Sequence, residues 1–284
     1  MAKAPRGVND DQIAFWNGDA GQRWVDDQEA MDATLAPFGE AAMEALGVPK
    51  GGEMIDLGCG CGGTTLELAR RTGPMGRVLG IDISTPMLAR ARERASAANL
   101  GHTLFVNTDA STYQFEAQAF DSAFSRFGVM FFDRPAAAFV NIRKGLRSGG
   151  RLGFVCWRAL AENEWVTVAR DVALRHVAPP EPMKPGAPGP FAFAEPAHVA
   201  SVLGRAGFTG ITLRPFDHAM RHEGEAAEIA ATMARMGPAS RLIADAPEDV
   251  RRRIVEDLAG AIAPRHDGKG IDLAAAAWIV TANA

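Results

Sequence analysis

A glycine-rich run at residues 53–63, Glu-Met-Ile-Asp-Leu-Gly-Cys-Gly-Cys-Gly-Gly, constrains the fold of this chain more than any other segment. Its apolar beginning predicts a buried strand, and Gly58 and Gly60 let the chain leave that strand through conformations that a side chain would block. The bare glycine backbone also lets a ligand approach the helix that follows. A second apolar run ends at Asp82, whose carboxylate can accept hydrogen bonds from both hydroxyls of a ribose. Together the two runs predict a nucleotide pocket at the edge of a parallel sheet.

The glycine spacing by itself fits more than one kind of nucleotide site. Gly58, Gly60 and Gly63 satisfy the pattern G-x-G-x-x-G that is typical of dinucleotide sites. Asp82 follows Gly63 at the separation that a nicotinamide cofactor requires. The glycines therefore leave an NAD-dependent oxidoreductase open as one interpretation.

Three further features distinguish a nicotinamide site from other kinds of nucleotide site. Asp56 precedes the first glycine of the loop by two residues, and the run at 82–88 reads Asp-Ile-Ser-Thr-Pro-Met-Leu. Asp109 follows a third apolar run. In these features the chain resembles the class I S-adenosylmethionine-dependent methyltransferases, whose first motif reads roughly D-x-G-x-G-x-G, with acids after the second and third strands. Residues 56–62 match every position of that motif, and the resemblance covers roughly residues 50 to 157.

The resemblance implies S-adenosylmethionine (SAM) as the cofactor and gives roles to the residues at matching positions. Gly58 and Gly60 would pass beneath the methionine and ribose portions, and Asp56 would help to hold the cationic amino group. Asp82 would take the two ribose hydroxyls. The remaining contacts would come from Ile83 and Met87 on the adenine faces, Asp109 at its exocyclic amine, the Ala110 backbone at a ring nitrogen and the Ser125 carbonyl at the amino-acid portion.

Three of these positions also have a structural interpretation that the sequence leaves open. Asp82 could cap the next helix, Met87 could belong to the core, and Asp109 could be a turn residue. The three features together favour the ligand interpretation, because each stands at the strand end that the family pattern requires.

Aromatic residues near the ends of the predicted fourth and fifth strands suggest an acceptor pocket. Trp16, in an aromatic and glycine-bearing segment, would help to close it, because related enzymes often fold their N-terminal segment over the cofactor. Arg126 is the candidate for orienting a polar acceptor. The other candidates are Phe127, Met130 and Trp157. An ordinary hydrophobic core is the alternative interpretation of this cluster.

The sequence assigns no catalytic residue. Methyl transfer from a sulfonium mainly requires alignment of the reactants and exclusion of water, and a base is needed only if the acceptor must lose a proton. His176, His218 and His222 are candidate bases by location, with a surface role as the alternative. The run Asn-Pro-Pro-Tyr of amide and base methyltransferases does not occur, and no added cysteine set suggests arsenic chemistry. A small, partly apolar molecule is therefore the predicted acceptor.

The alternation of strand and helix patterns predicts an α/β, Rossmann-like fold. We expect a seven-stranded, mostly parallel sheet with the last strand antiparallel, helices on both faces and a helical insertion between strands six and seven. Residues 1–50 would form an N-terminal helical cap segment, and 51–284 the methyltransferase domain, in one compact domain overall. Strand six is predicted at 210–216 and strand seven at 271–281.

The helical insertion is predicted at residues 223–265, after a proline-bearing loop at 179–190. Ligands bind above the carboxyl ends of strands in open α/β sheets, so an insertion there is a candidate lid. Ordinary core and a dimer surface remain the alternatives for its apolar face.

Composition and charge limit the kinds of partner that we expect for this chain. With 284 residues, 47% hydrophobic and 23% charged, the chain can bury a full core. A net charge of −4 gives no electrostatic footprint for nucleic acid, and no apolar stretch suggests a signal peptide or a membrane span. We therefore expect a cytoplasmic monomer or homodimer that binds a small-molecule acceptor. Cys59 and Cys61, without histidine or further cysteine nearby, predict no metal site.

Three functions follow from these features. The first is a small-molecule methyltransferase. The second is a SAM-binding protein without transferase activity, which the sequence leaves open. The third, less favoured because of Asp56 and the run at 82–88, is an NAD-dependent oxidoreductase.

Overall fold

The computed structural model describes residues 7–180 and 186–284, and the strands of this part of the chain form one sheet. The predicted strand at each apolar run is present, because the runs are buried between neighbouring strands and helices. The strands are β1 (Glu53–Leu57), β2 (Arg77–Asp82), β3 (Thr103–Asn107), β4 (Phe120–Arg126), β5 (Leu146–Trp157), β6 (Thr209–Glu223) and β7 (Gly270–Asn283).

Helices precede, connect and follow these strands in the described ranges. They are α1 (Asp10–Asn17), α2 (Asp19–Asp26), α3 (Gln28–Leu46), α4 (Gly63–Thr72), α5 (Thr85–Ala97), α6 (Pro135–Gly145), α7 (Glu164–Ala173), α8 (Pro196–Arg205), α9 (Ala226–Arg235), α10 (Ser240–Ala244) and α11 (Glu248–Ile262). In this part of the chain, no helix is both long and apolar enough to span a membrane.

The strand order is β3-β2-β1-β4-β5-β7-β6. Strands β1 to β5 pair in parallel, whereas β7 is antiparallel to both of its neighbours. The predicted Rossmann-like sheet with an antiparallel last strand is therefore confirmed. Because β5 and β6 both run opposite to β7, the carboxyl end of β6 lies on the same edge as those of the parallel strands.

Strand β6 is much longer than predicted. The predicted end at residue 216 is wrong, because backbone pairing with β7 holds the polar stretch 217–223 in the sheet. Pairing of β5 with β7 stops at Trp157 and Ala277, so the last part of β6 and the first part of β7 continue as a two-stranded ribbon. This ribbon extends past the carboxyl edge of the sheet.

Other predicted boundaries shift by smaller amounts. Two helices, α1 and α2, occupy the N-terminal segment before the predicted helix α3. The sequence pattern at 164–177 predicts a longer helix than α7, which ends at Ala173. The glycine pair at 149–150 predicts a turn before strand five, but it lies within β5. The predicted proline loop falls partly on 181–185, which lie outside the described residues.

The insertion has a hydrophobic core separate from the one that surrounds the sheet. In this cluster α7 and the three helices α9 to α11 pack on the ribbon through Ile271 and Leu273. The insertion contributes Ile229, Met233, Ile243, Ile254, Leu258 and Ile262 to it. The side chains of Ile229, Met233 and Ile243 are thus committed to packing within the insertion, as expected of an ordinary core.

Candidate active site

The backbone of the loop after β1 favours glycine at its central positions. Gly58 has φ of +68° and Gly60 φ of +52°, in the left-handed region that side chains disfavour. A Cβ at Gly58 would lie 2.9 Å from the Gly128 Cα, and one at Gly60 would lie 2.8 Å from the Met87 Cε. The loop is therefore a bare backbone cradle between the end of β4 and the side chain of Met87.

Asp56 lies beneath this cradle and is fully buried. Its Oδ2 accepts hydrogen bonds from the hydroxyls of Thr64 at 2.7 Å and Thr65 at 2.6 Å, both on α4. Its Oδ1 has no hydrogen-bond partner among the described residues. Burial raises the pKa of the Asp56 carboxyl to about 6, although Thr65, Thr64 and Arg126 oppose the shift. A buried carboxylate oxygen without a donor is costly, so it fits a site that receives a cation.

Asp82 closes β2 with both carboxylate oxygens oriented by backbone N–H groups. Gly60 N donates to Oδ2 at 2.8 Å, and Ser84 N donates to Oδ1 at 2.8 Å. Burial raises the pKa of this carboxyl, while these hydrogen bonds act in the opposite direction. Each oxygen keeps a further lone pair, so the group can accept from two hydroxyls without turning. The ligand and helix-start interpretations of Asp82 are therefore compatible.

The predicted adenine residues lie on the neighbouring strand end. Strand β3 pairs with β2 so that Asn107 lies opposite Asp82, and Asp109 follows two residues later. Asp109 Oδ1 accepts from Ser111 N at 2.8 Å, so this residue also forms the turn that the sequence left open. Met87 and Ala110 are buried, and Ile83 is half-buried. The structure brings these residues together on one edge of the sheet with Asp82.

Ser125 ties two strand ends together beside the loop. Its hydroxyl donates to the Leu57 carbonyl at 2.8 Å and accepts from Gly128 N at 3.2 Å. The side chain is fully buried. Its structural role is to fix the end of β4 against the end of β1, directly under the glycine cradle.

Arg126 forms an ion pair with Asp32, a residue that the sequence analysis did not identify. Its guanidinium donates to Asp32 Oδ1 at 2.8 Å, and Arg94 lies 2.9 Å from the other oxygen of Asp32. Burial alone would raise the pKa of Asp32, but Arg126 and Arg94 hold it below its usual range. The predicted role of Arg126 with a polar acceptor therefore competes with this ion pair. No local pattern marks this ion-pair group, since both arginine partners of Asp32 are distant in sequence.

Most of the aromatic candidates are packed into the main core. Phe127, at φ of +61°, stacks on Trp157 with ring centroids 3.9 Å apart, and Phe38 meets both rings edge-on. Met130 Sδ accepts from Trp157 N at 3.5 Å. Phe127, Met130 and Trp157 are each less than 10% exposed. They form a packed floor behind the strand ends.

Trp16 belongs to a second, more exposed aromatic group. Its ring meets Trp24 at 5.8 Å and Phe131 at 5.6 Å between centroids, each edge to face. Across the site, Trp165 on α7 lies 4.9 Å from Trp157. All of these rings except Trp157 are half-buried. They therefore offer apolar surface beside the carboxyl ends of β4 and β5.

The three histidines have different surroundings. His176, in the turn after α7, has its Nε2 2.8 Å from Asp257 on α11. His218 is exposed and stacks on Phe216. His222, on the ribbon, has an enclosed Nε2 without a partner in the described ranges, and burial lowers its pKa.

Taken together, these residues line one edge of a Rossmann-like sheet, with the buried Asp56 carboxyl under the glycine loop and the Asp82 carboxyl beside it. Comparisons with known proteins agree with this arrangement. Residues 54–150 match the family model of a methyltransferase domain.

Two relatives are themselves methyltransferases. The nocamycin O-methyltransferase of Saccharothrix syringae is 29% identical over 185 residues, which cover 62% of this chain and 65% of that protein. The aklanonic acid methyltransferase of Streptomyces sp. (strain C5) is 30% identical over 120 residues, which cover 42% of this chain and 54% of that one. The chain thus spans between 54% and 65% of the length of these relatives.

A solved structure extends the similarity of fold over the whole chain. Phosphoethanolamine N-methyltransferase 2 of Haemonchus contortus, in complex with SAM, aligns with a TM-score of 0.59 at 18% identity, covering 100% of this chain and 61% of that one. The chain is thus similar to the class I SAM-dependent methyltransferases in its domain match, in its relatives and in its fold. Their cofactor fits the residues present, because the unpartnered Asp56 oxygen and the glycine cradle suit a cationic ligand laid against the loop.

Proposed function

We propose that this chain transfers the methyl group of SAM to a small, partly apolar molecule, with alignment of the two reactants as its main contribution to the rate. The observation that carries this proposal is the group of half-buried aromatic rings beside the cofactor residues. Trp16 meets Phe131 after β4, and Trp165 meets Trp157 at the end of β5. Aromatic walls with few polar groups suit an acceptor that has apolar surface.

The names of the relatives support the proposal that the acceptor is a small molecule. One is named for the O-methylation of nocamycin and another for the methylation of aklanonic acid, both small molecules. We therefore propose a small molecule as the partner of this chain too. Its methylated atom, whether N, O, S or C, is left to experiment.

The cofactor residues take separate roles in this proposal. Asp56 holds the ammonium group through its unpartnered oxygen, and Gly58 and Gly60 pass beneath the methionine and ribose portions. Asp82 accepts from both ribose hydroxyls through the free lone pairs of its oriented carboxylate. The adenine and amino-acid contacts are assigned to Ile83, Met87, Asp109, Ala110 and Ser125.

The protein needs to supply little beyond binding and orientation. When bound, SAM supplies a methyl group on a sulfonium, which is already activated for transfer. Holding an acceptor atom in line with that methyl group is worth about 7–11 kcal/mol by proximity alone. The rings of Trp16, Phe131 and Trp165 orient the acceptor and exclude water. Phe127, Met130 and Trp157 support them from the core.

A base is required only for an acceptor that must lose a proton. His218 and His222 lie on β6 at the acceptor side, whereas His176 is paired with Asp257. The lowered pKa of His222 keeps its imidazole neutral at physiological pH, which is the form that can accept a proton. We propose that neither residue is essential, because no histidine here pairs with a carboxylate inside the site among the described residues.

The helical insertion is proposed as the lid of the acceptor pocket. It stands at the end of the ribbon, on the carboxyl edge of the sheet, and reaches the N-terminal helices at two places. Arg235 pairs with Asp27 at 3.2 Å, and the Arg241 guanidinium lies 4.1 Å from the ring centroid of Phe15. Closure of these contacts would cover the aromatic wall and keep water out.

Incubation with methyl-labelled SAM and a panel of small hydroxyl, carboxyl, amine and thiol compounds tests the proposal. We expect an apolar member of the panel to gain one labelled methyl group, with Asp82→Ala as the matched variant that forms no product. Binding of S-adenosylhomocysteine (SAH) without transfer to any compound would instead indicate a SAM-binding protein without transferase activity. A labelled macromolecule would overturn the proposed substrate class.

A further inference from the structure

Helices α1 and α2 cross the nucleoside edge of the sheet, and residues 9–26 are called the N-terminal strap below. At one end of α1, Asn17 Nδ2 donates to the Ile83 carbonyl at 2.8 Å, and Thr85 N donates to Asn17 Oδ1 at 2.9 Å. The Ser84 hydroxyl donates to the Trp16 carbonyl at 2.7 Å. The strap is therefore fastened to the loop that follows Asp82 by three hydrogen bonds.

The other end of α1 is fastened through the side chain of Asn9. Its Nδ2 donates to Asp109 Oδ2 at 2.7 Å, and its Oδ1 accepts from Asp133 N at 2.7 Å. Asn9 is buried and has φ of +60°, a conformation that asparagine tolerates better than most residues. One amide thus joins the strap to the loops after β3 and β4.

These contacts place the strap across any ligand that reaches from Asp82 to Asp109. The strap touches the loops after β2, β3 and β4, which are the loops on either side of the nucleoside positions. Helix α1 has no buried residue, so its position depends on these polar contacts more than on core packing. A cofactor laid along this edge would be enclosed while the hydrogen bonds of Asn9 and Asn17 are made.

We propose that Asn9 is a positioning residue of the cofactor site, which orients the Asp109 carboxylate toward the adenine amine and closes the strap over the nucleoside. The inference rests on the proposed role of Asp109. The Asn9 amide takes one lone pair of Oδ2, and Ser111 N takes one lone pair of Oδ1. The carboxylate is then fixed with lone pairs left for the adenine amine.

The closed strap also retards release of the cofactor. A bound nucleoside can leave only after the amide of Asn9 parts from Asp109, so the hydrogen bond and the ligand stabilise each other. Binding is therefore expected to tighten the strap, and loss of the Asn9 amide is expected to raise the dissociation rate more than it lowers the association rate.

Three variants separate the parts of this inference. Asn9→Gly removes the amide and tolerates the positive φ, and Asn9→Asp keeps the shape and the acceptor for Asp133 N but removes the donor to Asp109. Asn99→Gly is the matched control, because Asn99 also has a positive φ, of +55°, and lies away from the strap at the end of α5. Each variant is titrated with SAH, and hydrogen exchange of residues 9–26 is followed with and without SAH.

We expect both Asn9 variants to lose about 5- to 50-fold in SAH affinity, largely through faster dissociation, while Asn99→Gly stays within about twofold of the parent. In the parent, SAH should slow exchange across the strap, and this protection should be lost in Asn9→Asp. Unfolding temperatures should change equally little in the Asn9 and Asn99 variants. A purely structural Asn9 would lower stability without any SAH-dependent change in the strap.

Asp109→Ala distinguishes failure of this inference from failure of the proposed site. If Asp109→Ala weakens SAH binding and the Asn9 variants do not, Asn9 is not a positioning residue, while the nucleoside assignment stands. If neither change weakens binding, the nucleoside assignment itself fails and the inference fails with it. SAH affinity that is normal in Asn9→Asp but reduced in Asn9→Gly would also overturn it, because anchoring to Asp133 would then be the only function of Asn9.

Discussion

Asp82 is held by backbone N–H groups no more than 22 residues away in sequence, whereas Arg235, on the acceptor side, pairs with Asp27 across 208 residues. The cofactor side is thus made from neighbouring loops, and its polar groups are oriented before any ligand arrives. The acceptor side is assembled from the N-terminal helices, the ribbon and the insertion. Its links to the N-terminal segment, the Arg235–Asp27 ion pair and the Arg241–Phe15 cation–π contact, lie at the surface, and each is worth only about 0–1 kcal/mol.

This difference indicates that the two sides of the site have separate roles. The local, preorganised side is expected to bind the cofactor irrespective of the insertion, while the assembled side is expected to open and close at little cost. Changes on the cofactor side should therefore act on affinity for SAH, and changes on the acceptor side should act on transfer.

Asp82→Ala should have the largest effect. It removes two charge-assisted hydrogen bonds, each worth about 1.5–3 kcal/mol, so SAH affinity should fall by roughly two to four orders of magnitude. Calorimetric titration measures the loss. Asp121→Ala is the matched control, because Asp121 also accepts from a backbone N–H, that of Glu53, but at the amino end of the strands. Unchanged SAH binding in Asp82→Ala would break the assignment of the cofactor side.

Asp56→Asn should weaken cofactor binding while it raises the stability of the folded chain at high pH. The native pKa of Asp56 is raised from 3.8 to about 6, so the folded chain binds more protons than the unfolded chain in this window. The contribution of Asp56 to the free energy of unfolding therefore falls as pH rises through this window. Above pH 6 the ionised, buried carboxylate lowers the free energy of unfolding by ~3 kcal/mol relative to the protonated form. Denaturant unfolding at pH 5 and pH 8 measures it. We expect Asp56→Asn to be more stable than the parent at pH 8 and to bind SAH about tenfold or more weakly.

The outcome that contradicts this prediction is an Asn variant with unchanged SAH affinity. That result would show that the unpartnered oxygen of Asp56 serves no ligand. In the parent, SAH affinity should also rise between pH 5 and pH 7 as the carboxyl ionises, and Asp56→Asn should abolish this rise.

A double change, Arg235→Ala with Arg241→Ala, should act on the acceptor side alone. Loss of both contacts with the N-terminal segment should lower kcat/KM for the acceptor by about 3- to 30-fold, because closure loses ~1–2 kcal/mol. SAH affinity should stay within about twofold of the parent. Arg253→Ala is the control, since Arg253 pairs with Asp249 within α11 of the same insertion. Equal kinetics in all three proteins would show that the insertion is not a lid.

Histidine changes should have the smallest effects. We expect that no single change among His176→Ala, His218→Ala and His222→Ala lowers kcat by as much as about a thousandfold, because alignment carries the reaction. His176→Ala should cost at most about 1 kcal/mol of stability through loss of its partly exposed pair with Asp257. A histidine whose removal stops transfer without affecting folding or SAH binding would identify a general base.

Sequence reasoning predicted the strand ends that surround the glycine loop because their signals are local. These strand ends are set by apolar runs and by backbone conformations that favour glycine, and the role of Asp82 at one of them stays a prediction. The same reasoning missed Asp32, whose partner Arg126 lies 94 residues away, because no local pattern records such a pairing. The same limit applies to Asn9, which meets Asp109 across 100 residues.

Helix α1, whose bounds the predicted helical cap over residues 1–50 does not give, and the misplaced end of β6 have a common physical cause. Helix α1 buries none of its residues, so no apolar periodicity marks it. Residues 217–223 of β6, Asp-His-Ala-Met-Arg-His-Glu, are mostly polar and are held in the sheet by pairing with β7. In both segments tertiary contacts decide the structure, and sequence patterns report them poorly.

The central claim is that the glycine loop and Asp82 form a SAM site rather than a nicotinamide site. Calorimetric titration of the unmodified chain with SAH and with NAD tests it most directly. We predict a single SAH site per chain that is lost in Asp82→Ala, and no binding of NAD. Binding of NAD in the absence of SAH binding would contradict the claim.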